Sequence, residues 1–377
     1  MAYAYGLGPY PARVVGSSPT PPTEKTMHIK LRSPVFLAYF STAAFAILFF
    51  VYVPWGALPT EGDFTSLARY YAVLTFEPLL PALGAIVLGS VIVLLGRTMW
   101  LLCAAGLRGE PPAALIPRAR AASAARAFAR ECGDFFRLAF PVVISLLLQA
   151  YIVGAVSEAS RSRLVDETLL QWDRVLTGGD PFILLQSFPY PGWFEWSVIA
   201  SYAGLGAALI IFAVYCFHSY RDIFKEFAAA FTVCSLIMLA VWIAAPALGP
   251  QIRFIDNVYN LPIPASVGVA LENYRPDGRV RAFQEEIMKT VGKSSNAPIS
   301  TMPSAHVAWA LLAGWYAFRA SRKIAVVFAP FLILSSFGTV FLAQHYLVDI
   351  PAGIAAGALA ILAVHYYIIR KDSTEIN

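Results

Sequence analysis

Seven stretches of this chain, at 35–53, 78–96, 138–157, 196–217, 227–249, 324–344 and 350–369, contain no Lys, Arg, Asp or Glu. Each approaches or exceeds the roughly 20 residues an α-helix needs to cross a hydrocarbon layer about 30 Å thick. An eighth, 305–318, is short, but the uncharged run around it begins at Ser294. Backbone N–H and C=O groups find no water inside a bilayer, so such stretches are stable there as helices. The composition agrees: 58% of the 377 residues are hydrophobic, 14% are charged, and the mean hydropathy is +0.63. That is too apolar for an ordinary water-soluble domain. The sequence predicts an all-α integral membrane protein with about eight transmembrane helices.

Charge sets the expected orientation, because Lys and Arg concentrate on the cytoplasmic side. The 97–137 connection carries seven arginines against Glu110, Glu131 and Asp134, and the 319–323 link carries Arg319, Arg322 and Lys323 with no acid. By contrast, 54–77 has three acids against Arg69, and 158–195 has six acids against three arginines. Both termini are then expected in the cytoplasm, in the cytoplasmic membrane if the source is bacterial. The net charge of +5 reads as a topology signal, and no nucleic-acid partner is expected. Residues 1–34 are proline-rich and lack the apolar segment of a signal peptide, so a disordered cytoplasmic tail is expected there. Two helices and a basic loop follow at 35–137. The membrane body occupies 138–369 with an outer loop at 250–303, and a cytoplasmic tail occupies 370–377. None of Cys103, Cys132, Cys216 and Cys234 falls in an outer loop, so no disulfide framework is expected.

With that topology, three ionisable groups arrive at one membrane depth. His306 lies at the outer end of the short apolar stretch, and His345 and Asp349 lie at the outer junction of the last two. Such groups are costly in a bilayer and suggest a functional site. In "MPSAH" (302–306), Pro303 and Ser304 read as a helix start with Ser304 as N-cap. His306 then sits in the first turn, beside the unpaired N–H groups that suit an anion such as phosphate. In "HYLVD" (345–349), His345 and Asp349 share one face if the segment is helical. A carboxylate there holds the imidazole in one tautomer and stabilises its positive charge. This pairing suits attack on phosphorus with protonation of a leaving oxygen.

Other readings of the same residues stand beside this one. Two histidines and a carboxylate also suit a metal, but no further His, Cys or acid cluster completes a site, so no metal and no cofactor is expected. Interfacial histidines also serve as plain structural hydrogen-bonding groups. His28, His218 and His365 fall on the cytoplasmic side and are assigned no role. For a phosphate, the outer loop offers Arg253, Arg275, Arg279, Arg281, Lys289 and Lys293, with Arg253 the first choice because it follows the fifth span of the eight directly. An interfacial arginine that merely reaches for water fits Arg253 too. Residues 164–176 read as an interfacial helix stopped by Gly178 and Gly179, in which Asp173 and Arg174 pair or anchor. Trp55, Trp193 and Trp196 read as aromatic-belt residues.

The "MPSAH" and "HYLVD" motifs resemble the second and third signatures of the type 2 phosphatidic acid phosphatase superfamily, over about residues 227–369. The resemblance implies a six-helix core of membrane lipid phosphatases and phosphotransferases, here preceded by two added spans. It implies His345 as nucleophile through a phosphohistidine, Asp349 as its orienting acid, and His306 as general acid, without a metal. Where the lipid phosphatases carry the lysine of their first signature and the arginine of their third, this chain has Gly268 and Thr339. That departure, with "PALGPQIRF" and "WDRVLTGGDPF", is closer to the branch resembling inositol-phosphorylceramide synthase.

The expected activity is transfer of a phosphate-linked head group from a phospholipid or polyprenyl phosphate to a lipid or alcohol acceptor, at the extracytoplasmic face. Ser304, Arg253, Arg275 and Arg279 are the expected phosphate-binding residues, and no protein partner is expected. The alternatives are a lipid phosphate or polyprenyl diphosphate phosphatase using the same histidines and, from another class, a transporter or scaffold. A transporter places polar residues near the bilayer midplane, and these spans place them at one end.

Overall fold

The computed structural model describes residues 33–52, 118–276, 278–291 and 299–374. The expected span at 78–96, most of the tail at 1–34, and Cys103 and Trp55 lie outside these residues. Helix α1 (Pro34–Tyr52) packs against α2 (Arg118–Ser160) and α7 (Arg221–Ala244). Between α2 and α7 the chain forms a 3₁₀ turn (Arg161–Arg163), two short helices, α3 (Asp166–Thr177) and α4 (Pro181–Gln186), and the pair α5 (Gly192–Ala203) and α6 (Leu205–Ser219). A π-helical turn (Gln251–Ile255) leads to α8 (Ala265–Glu272) and α9 (Gly278–Val291). The chain closes with α10 (Ala305–Ala320), α11 (Arg322–Phe341) and α12 (Asp349–Thr374). No strand occurs among the described residues, only an isolated bridge between Ala247 and Ser300.

Five of the described helices are long and apolar enough to cross a membrane: α1, the Gly133–Ser157 part of α2, α7, α11 and the Asp349–Ile368 part of α12. The pair α5 and α6 makes a sixth, if it is one span bent by 58° at Gly204. The sequence had suggested one continuous span at 196–217, and the bend is the correction. At Gly204 a Cβ would sit 2.6 Å from the carbonyl of Ala200, so the bend has room for glycine and not for a side chain. The expected short stretch at 305–318 is α10, of 16 residues. Helix α12 continues to Thr374, past the expected start of a tail at 370.

The buried interior follows from side chains that find no alternative partner. Phe45, Ile152, Phe212, Phe227, Met238 and Tyr316 belong to one cluster through the bundle. A second, smaller cluster, including Leu169, Phe182, Phe254, Val267 and Tyr346, lies where α3, the π-helical turn and the 342–348 loop meet. Thr42 ties α1 to α2, its hydroxyl within 3.0 Å of the Ser145 hydroxyl and 3.1 Å from the carbonyl of Pro141.

One approach decides where the polar groups end up. A Cβ on Gly353 would lie 2.6 Å from the carbonyl of Ser304, and one on Gly357 would lie 3.1 Å from the carbonyl of Ala308. Small residues four apart let helix backbones close on each other. The starts of α10 and α12, which carry His306 and Asp349, are thereby drawn together.

Candidate active site

Helix α10 begins as its sequence dictates. Ser304 has extended backbone angles and its hydroxyl accepts from the N–H of Val307, as an N-cap does. The entry to the helix is held twice more. The indole of Trp242 donates to the carbonyl of Pro303 (3.1 Å), and the N–H of Ser304 donates to the carbonyl of Asp349 (3.3 Å). His306 thus lies in the first turn of α10, part-exposed, with its ring stacked on Tyr202.

His345 and Asp349 face each other for a different reason from the one the spacing suggested. Residues 342–348 are not helical: α11 ends at Phe341 and α12 starts at Asp349. Ala343 takes a left-handed conformation (φ 58°) that turns the chain. The N–H groups of Gln344 and His345 both return to the carbonyl of Thr339, at 3.0 and 2.9 Å. Asp349 then reaches back over this turn, accepting from the N–H of Tyr346 (2.9 Å) and lying 3.3 Å from Nδ1 of His345.

The nearer partner of that imidazole is one the sequence did not reveal. Nδ1 of His345 lies 2.9 Å from the carbonyl oxygen of Thr301. A carbonyl and a carboxylate only accept, so Nδ1 carries the hydrogen, and in the neutral ring Nε2 has the lone pair. Among the described residues, nothing hydrogen-bonds to Nε2. His345 is 6% exposed and Asp349 fully buried, so water competes little for either. The His306 ring stands 6.2 Å from that of His345, at 65°. The result is a fixed imidazole whose Nε2 is unengaged among the described residues, with a second imidazole next to it.

A sequence model of the PAP2 superfamily matches residues 167–363. The chain belongs to that superfamily. Its members are phosphatases and phosphotransferases, and the matched region holds both histidines and Asp349. No curated protein and no solved structure matches the chain.

The arginines expected at the phosphate divide on inspection. Arg253 is 5% exposed, on the π-helical turn whose Gln251 N–H donates to the carbonyl of Ala343 (2.8 Å). Its Nη2 donates to Glu167 of α3 (3.0 Å) and to the carbonyl of Pro262 (2.8 Å). Its Nη1 is buried with no hydrogen-bond partner among the described residues. Arg275 is exposed and donates to the carbonyl of Tyr274, its neighbour in the chain. Arg279 pairs with Glu195 of α5 at 3.0 Å. Lys289 pairs with Glu286, and Arg281 with Asp256 and Glu285. Lys293 lies outside the described residues.

Further groups here gave weaker signals in the sequence. Asp173 accepts from the N–H groups of Leu347 (2.8 Å) and Val348 (2.9 Å), the anchoring expected of it, while Arg174 pairs with Asp180 at 2.6 Å. Asp166 accepts from the N–H groups of Leu248 and Gly249, each at 3.0 Å, and from the hydroxyl of Tyr346 at 2.8 Å. Burial pushes both carboxyls up to about 6, against the lowering effect of those hydrogen bonds. The amide of Gln344 donates to Gln251, whose own amide donates to the carbonyl of Gln284 (2.9 Å), so α9 is tied to the turn before His345. Among the described residues, no group of three His, Cys, Asp or Glu side chains is placed to hold a metal ion.

Proposed function

We propose that this protein is a membrane lipid phosphotransferase that passes a phosphate-linked head group through a phosphohistidine on His345, at the extracytoplasmic face. The observation that carries the reading is the His345 imidazole, held through Nδ1 by the Thr301 carbonyl and Asp349, with Nε2 unengaged and His306 beside it. Nε2 attacks phosphorus, and the bond from phosphorus to the donor's leaving oxygen breaks. His306 supplies a proton to that oxygen, so that an alcohol departs. The positive charge on His345 is met by Asp349. In the second half, His306 takes the proton of the acceptor alcohol, whose oxygen attacks phosphorus and displaces His345. The cycle balances without a cofactor, and the enzyme returns to its starting state.

A phosphodiester donor fits better than a phosphomonoester. A monoester dianion is best met by several cations, of which bidentate arginine is the strongest. At the two positions where the lipid phosphatases carry cations stand Gly268, within α8, and Thr339, whose buried hydroxyl donates to the carbonyl of Ser336 (2.6 Å). Arg253, with one unengaged nitrogen, is the cation this reading assigns to the phosphate, together with the N-terminus of α10 capped by Ser304. Arg275 and Arg279 are assigned to the loop instead. The Gly268 and Thr339 departures support the reading that the protein is closer to the branch resembling inositol-phosphorylceramide synthase.

The test offers the purified enzyme phosphatidylinositol, phosphatidic acid and a polyprenyl diphosphate, each with and without diacylglycerol or ceramide. The expected result is transfer from the diester that depends on the acceptor. Rapid release of inorganic phosphate from either of the other two, with no acceptor present, would make the protein a phosphatase.

A further inference from the structure

Helix α3 places Asp166 and Asp173 two turns apart on one face, and each is only 1% exposed. Buried carboxylates are costly unless something donates to them. Neither forms a salt bridge among the described residues. Instead, backbone N–H groups and one hydroxyl supply the donors, and they come from two different loops. Asp166 holds Leu248 and Gly249 of the segment leading to Arg253, and also the side chain of Tyr346. Asp173 holds Leu347 and Val348 of the segment between His345 and Asp349.

The 344–349 turn shows what this accomplishes. Its N–H groups cannot bond in a helical ladder, because the segment is irregular. Those of Gln344 and His345 go to Thr339, and that of Asp349 goes to the carbonyl of Tyr346. The three between them go to carboxylates: Tyr346 to Asp349, and Leu347 and Val348 to Asp173. The backbone that carries His345 is therefore tethered by an acid from outside the His, His and Asp set, and its next residue is tethered by a second acid on the same helix.

We propose that Asp173 and Asp166 are positioning residues for the reaction. Helix α3 acts as a two-point clamp on the His345 turn and on the loop of Arg253, and holds Nε2 of His345 at its attacking position. The inference rests on the proposed role of His345. It differs from a merely structural role in one respect: loosening the clamp displaces the imidazole before it unfolds the bundle.

The experiment uses the full chain in lipid nanodiscs. It compares Asp173→Ala, Asp173→Asn, Asp166→Asn and His345→Ala for kcat, KM and thermal midpoint. A displacement of about 1 Å costs on the order of 100-fold in rate, and a loss of that size in kcat with KM within about twofold is expected of Asp173→Ala. Asp173→Asn keeps one accepting oxygen, so it should recover part of that loss at the same thermal midpoint as Asp173→Ala. Asp166→Asn should fall between Asp173→Asn and the wild type. Wild-type kcat in Asp173→Ala, with His345→Ala inactive, overturns the clamp alone. Losses of kcat that only track a fallen thermal midpoint in all three aspartate variants also overturn it. Wild-type turnover in His345→Ala overturns the proposed reaction, and the clamp with it.

Discussion

Tyr202 lies flat against His306, ring centroids 4.0 Å apart and planes 7° from parallel. Tyr202 sits two residues before Gly204, where α5 and α6 bend, and Phe283 of α9 closes on it edge-on at 5.9 Å. An aromatic face attracts a cation, so in the proposed reaction the stack offsets part of the cost of placing a proton on an imidazole set among buried groups. It also fixes the rotation of the ring. Tyr202→Leu should lower kcat roughly 10-fold on a lipid with a poor leaving group, a fraction of the roughly 100- to 10,000-fold that general acid catalysis contributes. It should have little effect on a substrate with an activated phenol leaving group. Tyr202→Phe should behave as the wild type on both, and steady-state kinetics on the matched pair of substrates checks this.

The two histidines should separate by chemistry. His345→Ala should abolish turnover while leaving a folded, extractable protein, because the main buried cluster of the bundle forms without it. His306→Ala should still form a phosphoenzyme from a donor with a good leaving group, since Nε2 of His345 is intact. Acid-labile label mapped by peptide mass spectrometry should sit on His345. Label on His306 instead reverses the two roles.

The acidic limb of activity should belong partly to Asp173. Burial, and after it the nearby Asp349 and Asp180, hold its carboxyl up near 6, while the N–H groups of Leu347 and Val348 pull it down. As pH falls through that value the carboxyl protonates, one oxygen stops accepting, and the turn loosens. The sign for stability is opposite. A carboxyl raised above its ordinary value contributes stability that is present at acid pH and lost as pH rises through about 6. Activity should therefore fall between pH 6.5 and 5, roughly half a unit above and one below that value, without a drop in thermal midpoint from this group. In Asp173→Asn the limb should flatten. A limb unchanged by Asp173→Asn assigns the titration elsewhere.

Gly249 should tolerate no side chain. Its φ is +84°, and a Cβ there would lie 2.3 Å from the carbonyl of Gln344 and 2.7 Å from Thr301 Cγ2. Gly249→Ala should destabilise by roughly 1–3 kcal/mol through backbone strain alone and lose activity, because the clash falls on the carbonyl before His345. Gly268→Ala makes the contrast. A Cβ at Gly268 meets nothing within 4 Å, and alanine in a helix is favoured over glycine by about 1 kcal/mol. Thermal unfolding of both variants decides the comparison.

Sidedness can be read with thiol reagents. In a background lacking the native cysteines, Ser300→Cys and Gln344→Cys should react with impermeant maleimide from outside intact cells. Arg120→Cys should react only after the membrane is opened. Labelling of Arg120→Cys from outside puts the chemistry in the cytoplasm.

Much of the fold was legible because bilayer physics acts on local sequence. The apolar runs that became α1, α7, α11 and α12 had to be helices whatever their neighbours, since no other local structure satisfies a backbone in hydrocarbon. Ser304 could be placed as a cap from Pro303, Ser304 and the apolar residues that follow, and it is one. The break at Gly204 was not legible. One glycine within an apolar run is ordinary in membrane helices, and the run does not reveal that this one leaves no room for a Cβ beside the Ala200 carbonyl. The second cluster of buried residues was hidden for a similar reason, because Phe182, Phe254 and Tyr346 lie in three separate connections.

The site divides in the same way. Sequence alone singled out His306, His345 and Asp349, because ionisable groups at the ends of apolar stretches stand out against a chain so poor in charge. It also offered Arg253 for the phosphate, though not that Glu167 and Pro262 hold it while one nitrogen stays unengaged. Only the tertiary structure decided how the histidine is held. The spacing of His345 and Asp349 suggested a helical face, yet they meet across an irregular turn. The carbonyl of Thr301, Asp173 and Tyr202 complete the arrangement from 44, 174 and 104 positions away from their partners. Local sequence specifies which groups are too costly to leave in lipid. Where each finds its partner depends on chain segments far apart, and that pairing is settled only when the helices close on one another.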